Sequence, residues 1–137
     1  MSSERNKAVV RRLYKEVFEG GDLDLADDLV LADARDLGDP EDRRGPERVK
    51  EVATMLRTAF PDQHWEIEAL IAEGDTVVMR SVHSGTHTGP FMGMPATGRT
   101  FGGVNHAYFF DFDDGRVATY RAIRDDVSFL RQIGVIG

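Results

Sequence analysis

The residues best suited to proton chemistry in this 137-residue chain are four histidines and three tyrosines, because cysteine is absent. That absence excludes disulfides, thiol nucleophiles and Cys-ligated metal centres. An imidazole can exchange a proton near neutral pH, and a phenol can donate to a carbonyl or enolate oxygen. Along Asn105–Phe112 side chains alternate, so His106, Tyr108, Phe110 and Phe112 fall on one face of a strand. Across the turn Asp113-Asp114-Gly115, Ala118, Tyr120 and Ala122 share a face of the partner strand. If both sets look inward, they form an aromatic wall carrying one imidazole and two phenols. Such a wall suits a flat, mostly apolar ligand with a few oxygens. His106, Tyr108 and Tyr120 are therefore the candidate catalytic set. The same residues also fit plain core filling, with His106 bonded to a backbone carbonyl, and at this level both readings stand.

A second strand offers further candidates. Met79, Ser81 and His83 share one face, and Val78, Arg80 and Val82 share the other, so one of Arg80 and His83 turns inward. A buried arginine requires a carboxylate partner, and Asp36 is a candidate for that role. Tyr14, Asp36, Met55, His83, Phe110 and Arg80 make up the candidate substrate-binding set, with methionine supplying an adaptable lining.

Other motifs are set aside. GTHTGPFMGMPATGR is glycine-rich but lacks the GK[ST] of a phosphate cradle. Asp111, Asp113 and Asp114 are too few and too close together for a calcium loop. The acidic loop Asp36, Asp39, Glu41 and Asp42 alternates with Arg43 and Arg44 and reads as a self-paired surface. No His-x-His pair or HExxH run is present, so neither a metal nor a cofactor is predicted. The formal charge of −7 argues against nucleic-acid or anionic-membrane partners. No apolar run approaches a membrane span, and the first residues lack a signal-peptide core. A cytoplasmic protein is the expectation.

These residues need elements to position them. Val9, Val10, Leu13, Tyr14, Val17 and Phe18 make an apolar stripe that predicts a helix over Ser3–Phe18, ended by Gly20-Gly21. A short helix over Leu25–Leu31 follows, then a short strand and loop over Asp33–Gly45. Pro46 opens a third helix, with Val49, Val52, Ala53, Leu56, Ala59 and Phe60 as its buried face. Strands are predicted around Trp65–Ala69, Thr76–Ser84, Asn105–Phe112 and Arg116–Ile123. Asp125 or Asp126 caps a last helical turn, Val127–Ile133. Helices first and a meander of antiparallel strands afterwards define an α+β fold of one domain, 1–137. A helix layer on a curled sheet encloses a cavity, and the uncovered sheet face suggests a homodimer.

The run FPDQHWEIEALIAEGDTVVMRSVHSGTHTGPFMGMPATGRTF resembles the SnoaL-like family of polyketide cyclases. The ending FDFDDGRVATYRAIRDDVSFLRQIG and the start LYKEVFEGGDLDLADDLV resemble it too. The resemblance implies a nuclear-transport-factor-2-like cone, with helices on a strongly curved antiparallel sheet around one pocket. It also implies hydrophobic small-molecule substrates, homo-oligomers and cofactor-independent enzymes. The ring-closing members read His-Trp-Asp on the last strand, the Asp being the general base. Those positions are Tyr120, Arg121 and Ala122 here, so the base position holds an alanine. A further pocket histidine of the cyclases falls near Tyr108, and an Asn/His pair falls around Asp36 and Leu37. The expectation is a tailoring enzyme that cyclises or isomerises a polyketide-like molecule, with His106 and the tyrosines doing the acid–base work or the pocket acting as a conformational template. The alternatives are a non-catalytic binding protein, or an epoxide hydrolase or cofactor-free hydroxylase. An epoxide hydrolase needs a carboxylate deep in the cavity.

Overall fold

The computed structural model describes residues 2–137. The first helix, α1 (Ser3–Arg12), starts where the Ser2 hydroxyl accepts the Arg5 amide at 3.2 Å. It does not continue as a uniform α-helix. Residues Leu13–Glu19 widen into a π-helical segment that closes with Gly20 N–H to Lys15 O at 3.1 Å. Such segments are rare and are frequent at functional sites. Here the wider turn lays Tyr14 on Phe18 with ring centroids 4.9 Å apart, both rings buried.

After a 3₁₀ turn (Leu23–Leu25), α2 is a single turn, Ala26–Leu29. It is shorter than the apolar pattern predicts, because Val30 and Leu31 open strand β1 (Val30–Asp36) instead. The third helix, α3 (Gly45–Ala59), begins with proline in its first turn and buries Val49, Ala53 and Ala59. Strands β2 (His64–Glu73), β3 (Thr76–Thr86), β4 (Thr100–Asp113) and β5 (Arg116–Arg124) precede α4 (Asp126–Gln132).

The sheet order is β1-β5-β4-β3-β2. Four strands form the expected antiparallel meander, but β1 pairs with β5 in parallel, so the sheet is mixed rather than wholly antiparallel. A parallel neighbour requires a crossover, and the connection leaving β1 carries α3 across the sheet's inner face before β2 begins. The β4–β5 hairpin turns through Asp114 (φ 51°) and Gly115 (φ 79°), the two positive dihedrals of a type I′ turn. Register shifts at Ile67/Ala69, His83/Gly85 and Asp111/Phe112 bend the strands. The last shift also moves Ala118 off the predicted inner row: Val117, fully buried, takes the place opposite Phe112.

The main core lies between the helices and the concave sheet face. A smaller apolar cluster, Phe60, Phe101, Val104 and Ile133, sits under the loop 87–99. No helix among the described residues is long and apolar enough to cross a membrane.

Candidate active site

Strand alternation places Trp65 and Ile67 of β2, Met79, Ser81 and His83 of β3, His106, Tyr108 and Phe110 of β4, and Tyr120 and Ala122 of β5 on the concave face. His106 and Tyr108 are bonded to each other. The His106 Nδ1 and Tyr108 Oη atoms are 2.6 Å apart, and Trp65 Nε1 donates to the same Oη at 3.2 Å. Oη thus accepts from the indole and pairs with His106 Nδ1, and the tautomer of that imidazole decides which of the two donates. His83 stacks on the Trp65 ring at 4.1 Å and 13°, and its centroid is 5.1 Å from that of His106. His83 Nε2 meets Gln63 Oε1 at 3.2 Å. The core-filling alternative for His106 is therefore only half right. The ring is buried, but its partner is a phenol and not a backbone carbonyl.

Burial sets the protonation states. It pushes the His106 imidazole down to about 4, with the nearby Arg124 charge acting in the same direction. His83 is pushed down to about 3, chiefly by burial and then by His106 and Arg124. Burial raises the Tyr108 phenol to about 12, with the Trp65 hydrogen bond partly opposing it. Tyr14 and Tyr120 are raised as well, again by loss of solvent. At neutral pH the site therefore holds two neutral imidazoles and three protonated phenols. Such a set can accept a proton from an activated C–H group and donate one to a developing oxyanion.

The structure divides the predicted residues. His106, Tyr108 and His83 come together. Tyr14 joins them, with its ring 4.8 Å from that of Tyr108. Tyr120 does not. It stacks on Phe110 at 6.3 Å, one row further along the sheet, where Tyr14, Phe18, Val30, Val49, Phe110 and Tyr120 contribute to the lining of a cavity of only about 20 Å³. That is room for about one water molecule, so the deep open pocket expected from the fold is filled by the helix-borne aromatic pair Tyr14 and Phe18. No carboxylate is among the residues lining this cavity, and His83, His106 and Tyr108 do not line it either. A larger hollow of about 720 Å³ lies outside, between α1, α2 and the β4–β5 turn, and is bordered by Arg5, Arg12, Asp28 and Arg116.

Three predicted binding residues lie elsewhere. Arg80 points to the convex face, where it pairs with Glu68, because the β3 alternation that turns His83 inward turns Arg80 outward. Met55 is 37% exposed on the solvent side of α3. Asp36 sits beside Tyr120 on the neighbouring strand but binds Arg48 Nε at 3.1 Å and the Gly38 amide, so its charge is already matched. Its arginine partner is Arg48 rather than Arg80. The acidic loop is self-paired as expected. The Asp39 carboxylate accepts from Arg43 Nε and from the Arg43 and Glu41 amides, and the Arg43 bond holds it well below the usual carboxylate range. Asp125 caps α4, its Oδ1 accepting the Ser128 amide at 3.1 Å.

Sequence reasoning missed Trp65 and Gln63 as site residues. Trp65 alternates with Glu66 and reads simply as a buried strand residue. Gln63 lies in a turn, where no periodicity marks it. Ser81 shares the face of His83 and pairs in register with His106. It is fully buried, and its Oγ has no hydrogen-bond partner among the described residues.

Helices on one concave mixed sheet, with an interior of neutral imidazoles and phenols, define an NTF2-like α+β enzyme scaffold. The family model of the SnoaL-like polyketide cyclases matches residues 8–133, and the chain belongs to that family and is an enzyme of the SnoaL-like cyclase type. The aklanonic acid methyl ester cyclase DauD of Streptomyces sp. (strain C5) is 31% identical over 130 residues, covering 92% of this chain and 80% of its own. Among solved structures, TsrD from Streptomyces laurentii superposes with a TM-score of 0.83 at 28% identity, over 94% of this chain and 97% of TsrD. IdmH from Streptomyces antibioticus superposes with a TM-score of 0.78 at 32% identity, over 95% and 99% of the two chains.

Proposed function

We propose that the protein catalyses cofactor-independent ring closure or isomerisation of a polyketide-like small molecule. The observation that carries this reading is the buried Trp65–Tyr108–His106 hydrogen-bonded chain beside His83, in an interior that belongs to a cyclase family. An imidazole lone pair takes the proton of a C–H bond flanked by carbonyls. The resulting enolate carbon attacks a second carbonyl of the same molecule, and the Tyr108 phenol supplies the proton to the new alkoxide. The proton taken by the imidazole restores the phenol, so no oxidant or reductant is consumed.

Ala122 faces inward directly opposite Tyr108. An imidazole thus stands in for the carboxylate expected at that strand position, and a weak base of this kind suits only an acidic C–H group. Substrate entry requires Tyr14 and Phe18 to move, and the π-helical segment that bears them is the element whose backbone bonding can rearrange by one residue. Aklanonic acid methyl ester, the compound in the name of the DauD relative, is a first substrate to try. Turnover abolished or reduced on the order of 10²-fold in His106→Ala and Tyr108→Phe supports the reading. Undiminished turnover in both variants removes it.

The convex sheet face exposes Ile123 (60%) and Phe109 (37%) on the neighbouring strands β5 and β4, and Ile71 (60%) on the edge strand β2. We infer that a second copy covers this face.

A further inference from the structure

We propose that Gln63 is a positioning residue. Its side-chain amide fixes His83 as the tautomer with the proton on Nε2 and the lone pair on Nδ1. The proposal rests on the reading of His83 as an imidazole at the reacting atoms.

The amide has one allowed orientation. Its Nε2 lies 3.4 Å from the Phe18 carbonyl oxygen, and its Oε1 lies 3.2 Å from His83 Nε2. A carbonyl can only accept, so the nitrogen must face Phe18. Flipping the amide would set its oxygen against the Phe18 carbonyl oxygen, with no donor between them. The oxygen then faces the imidazole, and an oxygen without a proton can only accept. His83 Nε2 must therefore carry the hydrogen. Its Nδ1 makes no hydrogen bond among the described residues.

Gln63 is held rigidly enough to impose this choice. It is 5% exposed, and its own amide donates to Phe60 O at 3.0 Å. The neighbouring Asp62 carboxylate accepts both the Thr86 amide at 2.8 Å and the Thr86 hydroxyl at 2.7 Å, which ties the turn to β3 three residues beyond His83. Trp65 stacks flat on the imidazole and fixes its plane. The Phe18 carbonyl belongs to the last turn of the π-helical segment, where helical partners run out. The helix end that carries the mobile aromatic pair is thereby wired through one amide to the tautomer of an active-site histidine. The arrangement follows the logic by which a buried acceptor orients a catalytic imidazole. A neutral amide orients the ring without raising its basicity. The groups facing His83 from the packed elements are His106 on β4, Arg124 on β5 and His64 on β2.

The test is long-range ¹H–¹⁵N correlation NMR on the uniformly ¹⁵N-labelled full chain, without substrate. At pH 7, His83 is expected as the Nε2-protonated tautomer. Gln63→Leu removes the acceptor and is expected to lose that preference. Gln63→Glu keeps the acceptor, is expected to retain the tautomer, and raises the His83 titration by at least about one unit through the added charge. An Nδ1-protonated His83 in the natural protein, or an unchanged tautomer in Gln63→Leu, overturns the proposal. A folded Gln63→Glu protein keeps the decision open to measurement if Gln63→Leu does not fold. Turnover separates the two levels of inference. Gln63→Leu lowering kcat about 10-fold or more with KM little changed, restored in part by Gln63→Glu, supports the positioning role. If His83→Ala turns over normally while the tautomer is as expected, it is the catalytic assignment of His83 that fails.

Discussion

Replacing Tyr108 by phenylalanine removes one oxygen and keeps the ring, and the structure gives that oxygen two jobs. It accepts the Trp65 indole proton at 3.2 Å and binds His106 Nδ1 at 2.6 Å, with the tyrosine only 8% exposed. Both partners stay buried in the variant. A buried polar group left without its partner costs about 1–3 kcal/mol, so two of them cost about 2–6 kcal/mol. Typical domain stabilities are about 5–15 kcal/mol, so the loss is measurable as a lower urea midpoint at an unchanged m-value. The activity effect is separable. If the phenol donates to a developing alkoxide, kcat falls roughly 10²–10³-fold, and a dead but folded enzyme at low urea is the expected result. A variant within about 0.5 kcal/mol of the natural protein, a difference typical of unconstrained surface changes, refutes the hydrogen-bonded chain. A destabilised variant with full turnover refutes the donor role alone.

Stability should fall as pH falls from about 6.5 to 4. Burial lowers the folded pKa values of His83 to about 3 and His106 to about 4. In that window the unfolded chain binds more protons than the folded one, so the stabilisation is complete above about 6.5 and lost towards 4. Urea melts at three pH values check the slope, and a flat profile contradicts the burial of both rings. Asp125→Ala removes the α4 cap and should cost about 1 kcal/mol without changing turnover. The charge-introducing change Ile123→Glu on the convex face should convert a dimer to a monomer in light scattering, and a monomeric natural protein defeats the interface.

Much of the architecture was legible in local pattern. The stripe Val10, Leu13, Tyr14, Val17 and Phe18 gave the first helix and its buried side, and the Asp114-Gly115 turn gave the hairpin. The π-helical widening was not legible, because its residues keep the same four-residue spacing as an α-helix; the extra backbone residue shows only when the rings pack. β1 was foreseen as a strand but not as a parallel neighbour of β5, since pairing partners are chosen by packing over eighty residues of separation. Arg80 was mistaken for a site residue for a similar reason: alternation says that His83 and Arg80 face opposite ways but not which of them faces in.

The sequence by itself determined the chemical inventory and the alternation. The lack of cysteine excludes thiol chemistry, and the period of two along a strand puts His106 with Tyr108 and Met79 with His83 whatever the rest of the chain does. The tertiary structure alone decided who meets whom and how much room is left. Trp65 reaches Tyr108, Gln63 reaches His83 and Arg48 takes Asp36 because strand register, bulges and helix placement are sums over contacts distant in sequence. Interior volume has the same origin: it is a small difference between the space that the sheet's curvature encloses and the side chains that fill it, and here Tyr14 and Phe18 leave about 20 Å³.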